Sequence, residues 1–241
     1  AGYLVPFMAV AYLLAGITVL LVNIDKLIPA FSLIFSSAFT GQAAVGGFLG
    51  TTLMLAMQNG VQFGIFANEA GLGTLSIAGA SAKVKEPAAQ GMLSMCGVFI
   101  STMIICTITG LSLAVTDVIG MEVAGKTVIG SPLAMAAFAT VHSSFSYVVL
   151  VGLNLFAFTT ILAWSYYGEK CFEYLFGLSA SHYYRMAFTI AVILGAVLEL
   201  TLVWSIANLA SALMAIPNLI AIVFLAKIIK TETSKFLTKI K

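Results

Sequence analysis

Gly64–Thr74, GIFANEAGLGT, sets Asn68 and Glu69 among three glycines in the middle of a stretch that carries no other charge from Gly46 to Ala82. A continuous helix tolerates this poorly. Glycine costs about 1 kcal/mol relative to alanine in a helix interior, and a carboxylate at the centre of an apolar span costs roughly 2.5–3.5 kcal/mol on insertion scales. The composition therefore predicts a helix interrupted within Gly64–Thr74, with backbone N–H and C=O groups left without helical partners. Such groups survive at membrane depth only where protein or a wet cavity satisfies them. The competing reading is a glycine-rich packing face with Glu69 held in a structural hydrogen bond.

That the stretch lies in a membrane follows from its surroundings. The chain has 241 residues, 61% hydrophobic and 8% charged, whereas a soluble domain carries about 25% charged side chains. Charges gather in short clusters between long uncharged runs, as lipid requires. The formal charge of +2 comes mostly from the last fifteen residues, KIIKTETSKFLTKIK, which is a tail and not a nucleic-acid surface. Cys96, Cys106 and Cys171 have no metal-like spacing and are assigned no chemistry. The chain begins abruptly at AGYLVPFMAV without the basic region of a signal peptide, so further residues upstream are expected.

Reading uncharged runs of about 20 residues as spans predicts an all-α integral membrane protein with about six transmembrane helices, the second one broken. The first covers residues 1–23 and ends at Asn23, Asp25, Lys26 and Pro29. An external loop with a short helix leads into the broken span, residues 46–82. Further spans are expected at about 90–116, 146–167, 185–199 and 202–226, with a short surface helix near Pro132–Thr140, a loop from Gly168 to Tyr184, and a basic tail at 227–241. Placing the tail in the cytoplasm also places Lys83, Lys85, Lys170 and Arg185 there. Nine basic residues then lie inside against Lys26 and Lys126 outside, the bias expected of short loops.

A second polar cluster lies in FAFTTILAWSYYGEKCFEYLFG, Phe156–Gly177. Thr160 and Trp164 are four apart and share a helix face. Hydroxyl oxygens suit a hard cation such as sodium, with backbone carbonyls of a broken helix completing the shell. Against that, membrane threonines commonly bond back to their own helix. His142 and His182 are expected in loops as ordinary interfacial residues, Glu199 near the outer end of its span, Trp204 as an interfacial anchor, and Asn218 as a partner for a backbone group freed by Pro217.

GIFANEAGLGT, the Pro87, Gln90 and Gly91 that follow, GVFISTMIICTITGL, the Phe156–Gly177 segment, the pair Tyr184–Arg185 and MAIPNLIAI at Met214–Ile222 resemble the sodium:alanine (alanine or glycine:cation) symporter family, in the same order and over essentially the whole chain. The resemblance implies a LeuT-like fold of two inverted repeats. This chain would supply the last helix of the first repeat (1–23) and the second repeat (24–226), with the rest of the first repeat missing. It implies further that Phe66, Asn68, Glu69, Gly71 and Gly73 surround the amino acid, that Trp164 limits substrate size, and that Thr159 and Thr160 ligate sodium. Ala67 departs from a serine usual in the family and Gly79 from a common histidine, which puts substrate preference and pH response in question.

The function expected is secondary active transport: sodium-coupled symport of a small neutral amino acid, alanine or glycine, by alternating access. The location expected is the inner (plasma) membrane, multi-pass, with a cytoplasmic C-terminus. An intramembrane hydrolase would need a nucleophile and a base at one depth, which the loop placement of both histidines denies. The remaining alternative is a truncated, non-transporting membrane binding subunit that needs an N-terminal partner.

Overall fold

The structure, a computed structural model, describes residues 2–39, 64, 68–123 and 125–240. In chain order these form α1 (Leu4–Val22), a 3-10 turn (Ile24–Lys26), α2 (Leu27–Phe39), α3 (Glu69–Leu72), α4 (Thr74–Ala80) and α5 (Pro87–Val115). A two-stranded hairpin follows, β1 (Glu122–Val123) antiparallel to β2 (Lys126–Thr127), with Glu122 opposite Thr127. Then come α6 (Ser131–Ala139), α7 (Ser143–Phe176), α8 (Ser181–Val197) and α9 (Leu200–Ile240). Pro87 opens α5 at a position where its missing N–H has no helical partner to lose. The middle of that helix, Phe99–Cys106, widens to a π-helical turn.

Among the described residues four helices are long and apolar enough to cross a membrane: Leu4–Val22, Pro87–Val115, Ser143–Phe176 and Leu200–Lys239. Helix α8, with 17 residues, sits at the lower edge of spanning length. The first part of the broken span lies outside the described residues. Against the six spans expected, four helices among the described residues meet the length and hydropathy of a span. Large apolar side chains such as Phe7, Leu14, Val223 and Phe224 are exposed on these helices. In water such faces would aggregate; against acyl chains they are at rest.

The chain divides into two compact units, residues 1–60 with 101–160, and 61–100 with 161–241. In the first, α1 buries Met8, Tyr12, Ala15, Gly16 and Val19, a stripe at helical spacing. Tyr12, Ala15 and Val19 of this stripe join Leu111, Ala114, Val115, Ala137, Phe138 and Val149 in one apolar core. Phe138 is fully buried, its ring centroid 5.2 Å from that of Tyr12. The Thr109 hydroxyl donates to the Ile105 carbonyl at 2.8 Å, so Tyr12, 2.8 Å from Thr109, is the donor of that pair. Helix α6 is therefore more than a surface helix, since Ala137 and Phe138 are wholly enclosed. Lys26 pairs with Asp117 at 2.7 Å on the exposed side.

In the second unit, α9 packs on α3 and on the first part of α5. The expected loop from Gly168 to Tyr184 is mostly helix. Helix α7 runs on to Phe176, and the chain turns at Gly177, whose φ of 84° favours glycine. The charges there are satisfied on the helix: Arg185 grips Glu169 with two bonds of 2.9 and 2.7 Å, and Lys170 pairs with Glu173 one turn on. Tyr184 lies so close over Gly168 that a Cβ there would collide with it, and its ring meets Phe172 and Phe188. His182 accordingly belongs to the first turn of α8, not to a loop. The basic tail is also helical, a continuation of α9. Lys239 near its end pairs with Glu86, the residue that precedes α5.

Candidate functional site

Within the Gly64–Thr74 stretch, where an interrupted helix is expected, the described residues show a break between Asn68 and Gly73. Asn68 precedes α3 with φ −109° and ψ 87°, outside the helical region. After only four residues the helix stops at Gly73, whose φ of 83° lies in the left-handed region. Helix α4 starts at the next residue. Non-helical backbone at both ends leaves α3 too short to satisfy its own N–H and C=O groups.

Side chains supply what the backbone cannot. The Asn68 amide donates to the Gly64 carbonyl at 2.8 Å. The Thr74 hydroxyl, itself buried, lies 3.4 Å from both the Glu69 carbonyl and the Glu69 Oε2, at the long limit of a bond. The Tyr167 side chain of α7 lies near enough to Glu69 for the two to interact electrostatically. The Asn218 amide of α9 donates to the carbonyls of Ala70 and Gly71 at 2.9 and 3.0 Å. Asn218 therefore serves the broken helix and not the backbone group freed by Pro217, which corrects the expectation from sequence.

Of the residues singled out in the sequence, Asn68, Glu69, Gly71 and Gly73 fall on the break itself. Phe66 lies outside the described residues. Trp164 stands on α7, its ring 6.2 Å from that of Tyr167, which reaches Glu69. Thr159 and Thr160 are consecutive on α7 in the first unit. The Thr159 hydroxyl donates back to Leu155 and Phe156, each at 3.0 Å. Its proton is thus committed to its own helix, and the lone pairs of its oxygen are left to accept or ligate. Thr160 is exposed on the helix surface.

Sequence reasoning missed Tyr167, although a signal was available: it follows Trp164 by three residues and so shares its face. Below the break, a cleft of about 590 Å³ opens between α4 and α7, lined by Ser76, Ser81, Tyr166, Lys170 and Cys171 among others. No group of three or more His, Cys, Asp or Glu residues able to hold a metal ion occurs among the described residues.

A model of the sodium:alanine symporter family matches residues 1–241. The chain is 46% identical to an uncharacterized transporter of Haemophilus influenzae over all of its own length and 52% of the relative's. It is 45% identical to the sodium/alanine symporter AgcS of Methanococcus maripaludis over 98% of the chain and 51% of the relative. It is 34% identical to a sodium/proton-dependent alanine carrier protein of Bacillus sp. (strain PS3), over 94% of the chain and 54% of the relative. The chain spans about half the length of the curated relatives it matches.

Proposed function

We propose, for a chain that belongs to the sodium:alanine symporter family, that it forms the C-terminal half of a cation-coupled transporter of a small neutral amino acid. The family is one of symporters, not enzymes. The observation that carries the reading is the break at Asn68–Gly73, whose carbonyls are met by the Asn218 side chain of another helix. The N-terminal N–H groups of a helix attract a carboxylate, and carbonyl oxygens, which keep a second lone pair when one is bonded, attract an ammonium or a cation. An amino-acid zwitterion offers both charges.

In this reading Phe66, Asn68, Glu69, Gly71 and Gly73 bind the amino acid, and Trp164 caps its side chain so that alanine or glycine fits. Thr159 and Thr160 contribute hydroxyl oxygens to sodium. The remaining ligands come from an N-terminal half, which together with this chain makes the LeuT-like pair of inverted repeats and alternates access between the two sides of the inner membrane.

Orientation has support of its own. Glu86 meets Lys239, while Lys170 and Ser81 line one cleft. The Lys83–Lys85 loop, Lys170 and the helical tail therefore share one end of their unit, as a cytoplasmic face rich in lysine requires. The test is uptake of labelled alanine into liposomes by the product of the complete open reading frame. Thr160→Ala should weaken the response to sodium and leave the protein folded. An unchanged sodium dependence would remove Thr160 from the ion site.

A further inference from the structure

We infer that Asn218 is a positioning residue of the transport site: from α9 it fixes the direction in which the carbonyl end of α3 faces. The inference rests on reading the break as that site.

Helix α3 has four residues, Glu69–Leu72, fewer than are needed to close more than a first helical bond. The carbonyls of Ala70 and Gly71 thus depend on donors from elsewhere. A primary amide is the one neutral side-chain group with two N–H donors on a single atom. Asn218 Nδ2 uses that atom on both carbonyls, at 2.9 and 3.0 Å, across 148 and 147 positions of sequence. The fit is close on the other side as well: a Cβ at Gly73 would lie 2.9 Å from Asn218 Oδ1 and 3.1 Å from its Cγ. The left-handed glycine makes room for the amide, and the amide satisfies the helix that the glycine ends.

Helix α9 has a second attachment far from this one. Lys239, which pairs with Glu86, stands 21 residues from Asn218, about 32 Å along the helix. Packing on α3 and on the start of α5 also holds α9 in place. Removing the amide should therefore leave the helix seated and release only the two carbonyls. Freed, they turn toward water or toward the substrate's ammonium group in a range of directions, and the site loses its preset geometry.

The experiment uses the product of the complete open reading frame in proteoliposomes, with Asn218→Asp, Asn218→Ala and Asn218→Gln. The aspartate has the same shape but turns an acceptor toward two acceptors; glutamine keeps both donors on a longer arm. Expected is a KM for alanine about ten-fold higher for the aspartate and alanine variants, the scale of one or two lost net hydrogen bonds, with partial recovery for glutamine and with normal yield and monodispersity for all three. A second readout does not need substrate: Ser76→Cys, in a background without Cys96, Cys106 and Cys171, is labelled with a maleimide. Asn218→Asp should change the labelling rate several-fold, because Ser76 lies just beyond the break and lines the adjoining cleft. Unchanged KM and unchanged labelling would overturn the inference, as would equal loss of folded protein in all three variants. Altered labelling in a protein that binds no alanine would sustain the role of Asn218 at the break and refute the proposed function.

Discussion

Replacing Gly73 with alanine challenges the break at its most constrained point. Gly73 has a φ of 83°, where a residue with a Cβ pays about 1–2 kcal/mol. The new methyl would also stand 2.9 Å from Asn218 Oδ1, so the amide must withdraw and its bonds to Ala70 and Gly71 are lost, at about 0.5–1.5 kcal/mol each. Together these give about 2–5 kcal/mol. Asn218→Ala alone should cost about 1–3 kcal/mol, because the same two carbonyls lose their donors. The double variant pays the backbone strain and loses the amide only once. Its cost should therefore fall short of the sum of the single costs by about 1–3 kcal/mol, the signature of residues that share one interaction. Thermal unfolding of all four proteins in detergent measures this cycle. Additive effects, or a Gly73→Ala variant as stable as the parent, would refute the close fit of glycine and amide.

Phe138→Ala, at a fully buried ring packed against Tyr12, should cost about 3–5 kcal/mol, seen as a marked drop in melting temperature; a small drop would mean that the core of the first unit lies elsewhere. Tyr167→Phe keeps the ring beside Trp164 and removes the hydroxyl from Glu69. The KM for alanine should rise about ten-fold in an uptake titration, and an unchanged value would detach Tyr167 from the site. Lys26 is held above its ordinary value of 10.5 by its hydrogen bond to Asp117 and then by the charge of that carboxylate. A raised lysine pKa stabilises at every pH below the ordinary value and ceases to do so as pH climbs through the raised one. The small difference in melting temperature between the parent and Lys26→Ala should hold constant from about pH 6 to about pH 9 and vanish well above 10.5. A difference that vanished near neutrality would contradict the pairing.

The sequence made the break legible because its cause is local. Glycine at 71 and 73 and a carboxylate at 69 are unfavourable in a membrane helix wherever the rest of the chain goes, and the structure stops α3 at Gly73. The lysine bias needs only the order of charges and spans, and it remains a reading of the sequence. Charges near the helix ends misled. Glu169, Lys170 and Glu173 read as a loop leaving the membrane, yet a helix carries such residues well once they pair, here with Arg185 and with one another. The same holds for the tail, where Lys235 pairs with Glu232 and Lys239 with Glu86. The π-helical turn at Phe99–Cys106 is announced by no proline or glycine among FISTMIIC. Asn218 stood beyond reach for a different reason: it meets the break across more than 140 positions, and no spacing rule within α9 points to α3.

The central claim is that the break belongs to a cation-driven amino-acid site. Its most direct test is the uptake of labelled alanine into liposomes containing the product of the complete open reading frame, with and without an inward sodium gradient, for the parent and for Asn68→Ala. Accumulation above equilibrium should require the gradient in the parent and be lost in a folded Asn68→Ala variant. Accumulation in the parent that ignores both sodium and proton gradients, or full sodium-driven uptake by the variant, would contradict that claim.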